Sequence, residues 1–110
     1  MKFFVVKTEE SNVAVVFHDY VSSRFIVRSI SESFRRAFEA AVSVVSGFSF
    51  YKDNGKLKYV EFGPQHPSWV TKVLSKVCQG YWSVCAEGNI IGDAFIEDVV
   101  AEYLSVNSDI

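Results

Sequence analysis

Every arginine of the chain lies in one short stretch: Arg24, Arg28, Arg35 and Arg36. Guanidinium groups hold carboxylates and phosphates through paired N–H donors, so a local concentration of them is the first place to look for an anion site. Along a strand alternate side chains share a face. That sets Arg24, Ile26 and Arg28 on one side and Phe25 and Val27 on the other, the arginines facing away from the core. If Val13–His18 and Arg24–Arg28 pair antiparallel through the segment Asp19–Ser23, His18 falls beside Arg24 on the arginine face. The strand then runs into Ser29 and Ser31 at the start of a helix, where free N–H groups and the positive dipole end attract anions. His18, Arg24, Arg28, Ser29 and Ser31 therefore form a candidate site for a phosphate-bearing ligand or RNA. The competing reading is a solvated strand edge whose charges oppose aggregation. Arg35 and Arg36 have simpler explanations: Glu39 lies four residues after the first and Glu32 four before the second, the spacing of surface ion pairs on a helix.

Three other places carry residues able to do chemistry. His66 stands between Pro64 and Pro67 and near Trp69, at the mouth of a helix, where an imidazole could act as acid, base or ligand contact. Tyr51, Lys56 and Lys58 are set to share one face of a hairpin, an aromatic beside two cations, as single-stranded nucleic acid binding requires. Tyr59–Phe62 lacks the glycines of an RNA-recognition RNP1 segment, and Gly55 stands at its basic first position, so no family is identified from it. Cys78 and Cys85 are the only cysteines. Both lie in apolar stretches and read as buried free thiols, and with so few histidines nearby they do not make a metal site. Gly-rich phosphate loops, nucleophile elbows, paired zinc histidines and paired catalytic carboxylates are all missing from the sequence, so neither a cofactor nor a metal is expected.

The elements that must position these residues are legible from period and punctuation. Lys2–Thr8 and Val13–His18 read as a hairpin around Glu9–Asn12, followed by a strand at Arg24–Arg28. Asn54-Gly55 supplies the two positive-φ residues of a type I′ turn, predicting a tight hairpin of Phe48–Asp53 with Lys56–Phe62. A helix is predicted from about Ser31 to Ser46, with Ile30, Phe34, Ala37, Phe38, Ala41, Val42 and Val45 on one face, a serine cap, and Gly47 as its stop. A second runs from Pro67-Ser68 to about Cys78. Tyr81–Ala86 reads as a strand. Gly92-Asp93 opens a third helix, with Phe95, Val99 and Tyr103 inward and Glu97, Asp98 and Glu102 outward. From Arg24 to Ala86 this is the order of a ferredoxin-like βαββαβ core, flanked by an N-terminal hairpin and a C-terminal helix. The expected fold is a single α+β domain, residues 1–110, with a mostly antiparallel sheet.

Composition limits the function classes. An apolar fraction of 49% with 15% aromatics excludes disorder, and the surplus of aromatic residues predicts a surface that self-association, as a symmetric dimer, would cover. The longest uncharged run, Ala40–Tyr51, is too short to span a membrane, and the apolar run after Lys2 is too short for a secretory signal, so a soluble cytoplasmic protein is expected. Charge is divided along the chain. Residues 1–76 hold all eleven basic residues against seven acids, a net of +4, whereas residues 77–110 hold six acids and no Lys or Arg. Such division suits a charged macromolecular partner. The leading expectation is a non-enzymatic interaction protein docking to a protein partner, a profile shared by small accessory and inhibitor proteins of viral and phage type. The alternatives are RNA or phosphate binding through His18, Arg24 and Arg28, and a small nuclease or hydrolase using His18 or His66.

Overall fold

The computed structural model describes residues 1–19, 21, 24–43, 48–54, 56–62 and 69–104, with backbone alone for 43, 48–53, 56–62 and 69. The strands are β1 (Lys2–Lys7), β2 (Asn12–Asp19), β3 (Arg24–Ser29), β4 (Phe48–Asp53), β5 (Lys56–Phe62) and β6 (Ser83–Asn89). The helices are α1 (Glu32–Ser43), α2 (Trp69–Val77) and α3 (Ile96–Leu104), the last entered through a single 3₁₀ turn at Asp93–Phe95. Among the described residues no helix is long and apolar enough to cross a membrane.

Local chemistry accounts for the joints. Between β1 and β2 the Thr8 hydroxyl accepts N–H groups from Glu10 and Ser11, and the Thr8 N–H donates to the Ser11 carbonyl, which closes the turn with side chain and backbone together. Asn54 takes a φ of 53°, and Asp53 pairs with Lys56 across it, as the Asn-Gly dipeptide predicts. Gly55 lies outside the described residues. Ser31 caps α1, its hydroxyl accepting the Phe34 N–H at 3.1 Å.

The sheet is antiparallel throughout, in the order β4-β5-β3-β2-β1-β6. This departs from the ferredoxin-like order. In that fold the last strand, here β6, pairs with the first, here β3. Here the β1–β2 hairpin stands between them, and β6 pairs with β1 instead. The reason lies in the hairpin's composition. Phe3–Val6 and Val13–Phe17 are continuous apolar runs, buried on both sides, and a strand of that kind belongs at the centre of a sheet.

Each face of the sheet is covered. On one, Phe34, Phe38 and Val42 of α1 and Val70, Val73, Leu74 and Val77 of α2 pack on Phe4, Val6, Val16, Phe25 and Val27. Phe38 meets Phe25 edge-on at 5.7 Å. On the other, Ile96, Val99 and Leu104 of α3 pack on Phe3, Val5, Val15, Phe17 and Ile26. The helical patterns needed small corrections: Ile30 is 61% exposed because it precedes the Ser31 cap, and Phe95 is 50% exposed because it sits in the 3₁₀ turn before α3. Val45 lies outside the described residues.

Gly88 is required by close packing. It pairs with Phe3, whose ring lies 2.7 Å from where a Cβ would stand. That ring is held by Phe17 and Tyr103 at 6.1 and 5.9 Å between centroids, so it cannot swing aside freely. Gly88→Ala is expected to lower stability by about 1–3 kcal/mol through overpacking, measured by denaturant unfolding. Part of that loss should return when Phe3→Leu is added, and independent, additive effects would refute the contact as the cause.

Candidate functional site

The register of β2 on β3 decides where the sequence-predicted anion site goes. Asp19 pairs with Arg24, and His18 pairs with Phe25. A shift of one residue from the expected pairing moves a side chain to the opposite face. His18 is therefore not beside Arg24 but on the α1 side, 1% exposed and stacked on Phe25 at 5.0 Å between ring centroids. Burial, opposed by Asp19 and helped by the N-terminal ammonium, pushes its pKa down to about 4.

Arg24 and Arg28 do share a face, but it is the face that α3 covers. The Arg24 Nη2 lies 3.2 Å from both Asp93 oxygens and 3.4 Å from Asp19 Oδ2. The Arg28 Nη2 lies 3.3 Å from Glu97 Oε2. Burial disfavours the Arg24 charge, yet the hydrogen bonds and charges of Asp93 and Asp19 outweigh it and hold the guanidinium above its usual value. The expectation that these arginines point away from a core with their charge turned outward is thus corrected. They tie the acidic start of α3 to the sheet, and carboxylates distant in sequence answer them.

The helix start is occupied as well. The Ser29 hydroxyl accepts the Ser31 N–H at 3.0 Å, and Arg35 folds back to donate to the Ser29 carbonyl and to Glu32 Oε2 at 2.6 Å. Arg35 thus pairs with Glu32, three residues before it, a partner that the four-residue spacing did not name.

Register also bears on the second group of candidates. Tyr51 stands opposite Tyr59, not Lys58, because a register shift follows Tyr51, and Lys56 pairs with Asp53. Trp69 opens α2, and His66 lies outside the described residues. Cys78 is half-buried, with burial raising its thiol pKa, while Cys85 is exposed and donates to Asn12 Oδ1 at 3.4 Å. The expectation of two buried thiols fails for Cys85 because β6 is a border strand. Among the described residues no group of three or more His, Cys, Asp and Glu is placed to hold a metal ion.

What the fold does bring together is on β6, which sequence reasoning treated only as a strand. It ends the sheet, and most of its residues are exposed. Ile90 and Met1 exchange both backbone bonds, so by alternation Gly88 and Ala86 turn their N–H and C=O toward β1, while Glu87 and Asn89 turn theirs outward. Between this edge and α2 lies a cleft of about 330 Å³ bordered by Phe4, Leu74, Cys78, Trp82 and Val84. The buried Trp82 Nε1 finds no acceptor among the described residues. The available signal was Tyr81-Trp82 before a run free of Lys and Pro, the residues that commonly protect an edge.

No family model, curated protein or solved structure matches the chain. What the fold defines is an α+β protein with helices on both faces of an antiparallel sheet and, among the described residues, a border strand paired on one side only.

Two outcomes follow for the rearranged site. Arg24→Gln with Arg28→Gln should loosen α3 rather than abolish an outside contact, with a loss on the order of 1 kcal/mol and faster amide exchange in Ile96–Leu104 than in β2. Equal exchange in both elements would refute the tie. For His18, the folded pKa of about 4 lies below the ordinary 6.5, so the unfolded chain binds the extra proton first as pH falls. Stability from this group is full above about pH 6.5, declines toward pH 4 by about 3 kcal/mol in all, and then levels. His18→Phe should flatten that limb in pH-dependent urea unfolding, and an unchanged slope would refute it.

Proposed function

We propose that this chain is a non-enzymatic binding protein that docks to a protein partner by adding a strand to β6. The observation that supports the reading is the outward backbone of Glu87 and Asn89 beside the Trp82 cleft. An exposed edge offers main-chain hydrogen bonds to any extended segment, and an adjoining cleft selects among segments by side chain. Trp82 adds a buried donor that meets no acceptor among the described residues and would gain from one. Phosphate or RNA binding through His18, Arg24 and Arg28 has lost its geometric support, since those three side chains lie on opposite faces.

Peptides selected from a displayed random library on the folded protein provide the test. They should bind with β6 amide shifts in the NMR spectrum, and Glu87→Pro or Asn89→Pro, which remove outward N–H groups and leave the β1 ladder intact, should weaken them about tenfold or more. Selected peptides that bind wild type and both proline variants alike would refute the edge as the docking surface.

A further inference from the structure

Beyond the edge, a second feature begins where β6 ends. Gly92 takes a φ of 78°, a left-handed conformation that reverses the chain into the 3₁₀ turn and α3. The reversal leaves Ile91 88% exposed and Phe95 50% exposed. With Ile90 and Val99 they form an open groove of about 300 Å³, rimmed by Asp98 and Glu102. Apolar surface of this kind favours a covering by roughly 25 cal/mol for each Å² removed from water.

The rim states what kind of covering fits. Of the five carboxylates in the described residues 77–104, Glu87 pairs with Lys2, Asp93 with Arg24 and Glu97 with Arg28. Among the described residues Asp98 and Glu102 meet no Lys or Arg; they lie on the groove one helical turn apart on α3, where like charges repel, and the Tyr103 phenol is beside Glu102. Residues 77–110 contain no Lys or Arg to relieve them. A cation placed between the two carboxylates would gain from both, and an apolar side chain beside it would cover Ile91 and Phe95.

We infer that this groove is a docking site for a segment of a partner protein in which large apolar side chains are flanked by arginine or lysine. Charge complementarity selects that occupant over an acidic or purely apolar one, because the latter would leave the repelling pair desolvated and unrelieved. The inference rests on the reading of a partner-docking protein, but not on strand addition to β6.

The test is fluorescence anisotropy with the full chain and a labelled, capped peptide carrying a leucine–phenylalanine pair flanked by arginines in a glycine–serine background. Two control peptides replace the arginines by glutamate or the apolar pair by serine. The arginine peptide should bind, weaken with added salt, and lose about tenfold or more on Asp98→Lys with Glu102→Lys and, separately, on Ile91→Ser with Phe95→Ser. Both controls should bind wild type at least about tenfold more weakly. These positions are exposed, and unchanged urea unfolding verifies that each variant is folded. Glu87→Pro should leave the arginine peptide bound, which separates failure of the groove from failure of the edge. The inference is overturned if wild type does not bind the arginine peptide, if the glutamate peptide binds equally, or if neither double variant weakens binding. It is also overturned if light scattering finds a dimer that Ile91→Ser with Phe95→Ser dissociates, since the occupant is then a second copy.

Discussion

The β1–β2 hairpin is apolar on both of its faces, and the rest of the molecule is arranged to keep water from both. Val5, Val6, Val15 and Val16 are fully buried, two toward α1 and α2 and two toward α3. A sheet with a single covered face would leave half of these side chains exposed, forfeiting about 1.5–3 kcal/mol for each. The hairpin consequently takes the centre, other strands pair on either side of it, and helices close from both directions. Insertion of the hairpin between β3 and β6 is what parts this topology from the ferredoxin-like order that the sequence of elements suggests.

The charge division of the chain follows from the same arrangement. Covering the second face lays the C-terminal acidic helix over β2, next to β3, which brings Asp93 and Glu97 against Arg24 and Arg28. A large part of what reads in sequence as two opposed, partner-seeking ends is thus answered within one molecule. Asp19, directly across from Arg24, adds a cross-strand carboxylate to the same guanidinium. These pairs are partly exposed and individually weak, so their role is to orient α3 more than to stabilise it. Apolar contact supplies the adhesion.

Placing the hairpin at the centre also decides what is left at the border. β6 has a neighbour on one side only among the described residues, and the helices that cover the central strands stop short of enclosing it. Its exposed backbone, the Trp82 cleft on the α2 side and the Ile91–Phe95 groove at its end lie next to one another along the chain. Strand edges and exposed apolar grooves are both costly to leave open, since one invites unwanted pairing and the other unwanted adhesion. Finding them together supports a surface used for recognition.

Local signals in the sequence determined the elements, and they did so where the chemistry is short-range. Asn54 dictated a tight turn, Ser31 a helix cap, and the spacing of Phe34, Phe38 and Val42 the buried stripe of α1, because each effect acts within one turn of chain. The continuous apolar runs Phe3–Val6 and Val13–Phe17 carry a signal of burial on both faces, which the order of the elements alone does not contain. Strand order and register were decided only by tertiary structure. Whether His18 or Asp19 stands opposite Arg24 is a choice of one residue, invisible in composition, yet it sends His18 into the core and leaves Asp19 on the guanidinium. Asp93 and Glu97, which answer Arg24 and Arg28, each lie 69 residues further along, beyond any spacing rule. They meet because α3 must cover the second face of β1 and β2, and that requirement exists only once the sheet has formed.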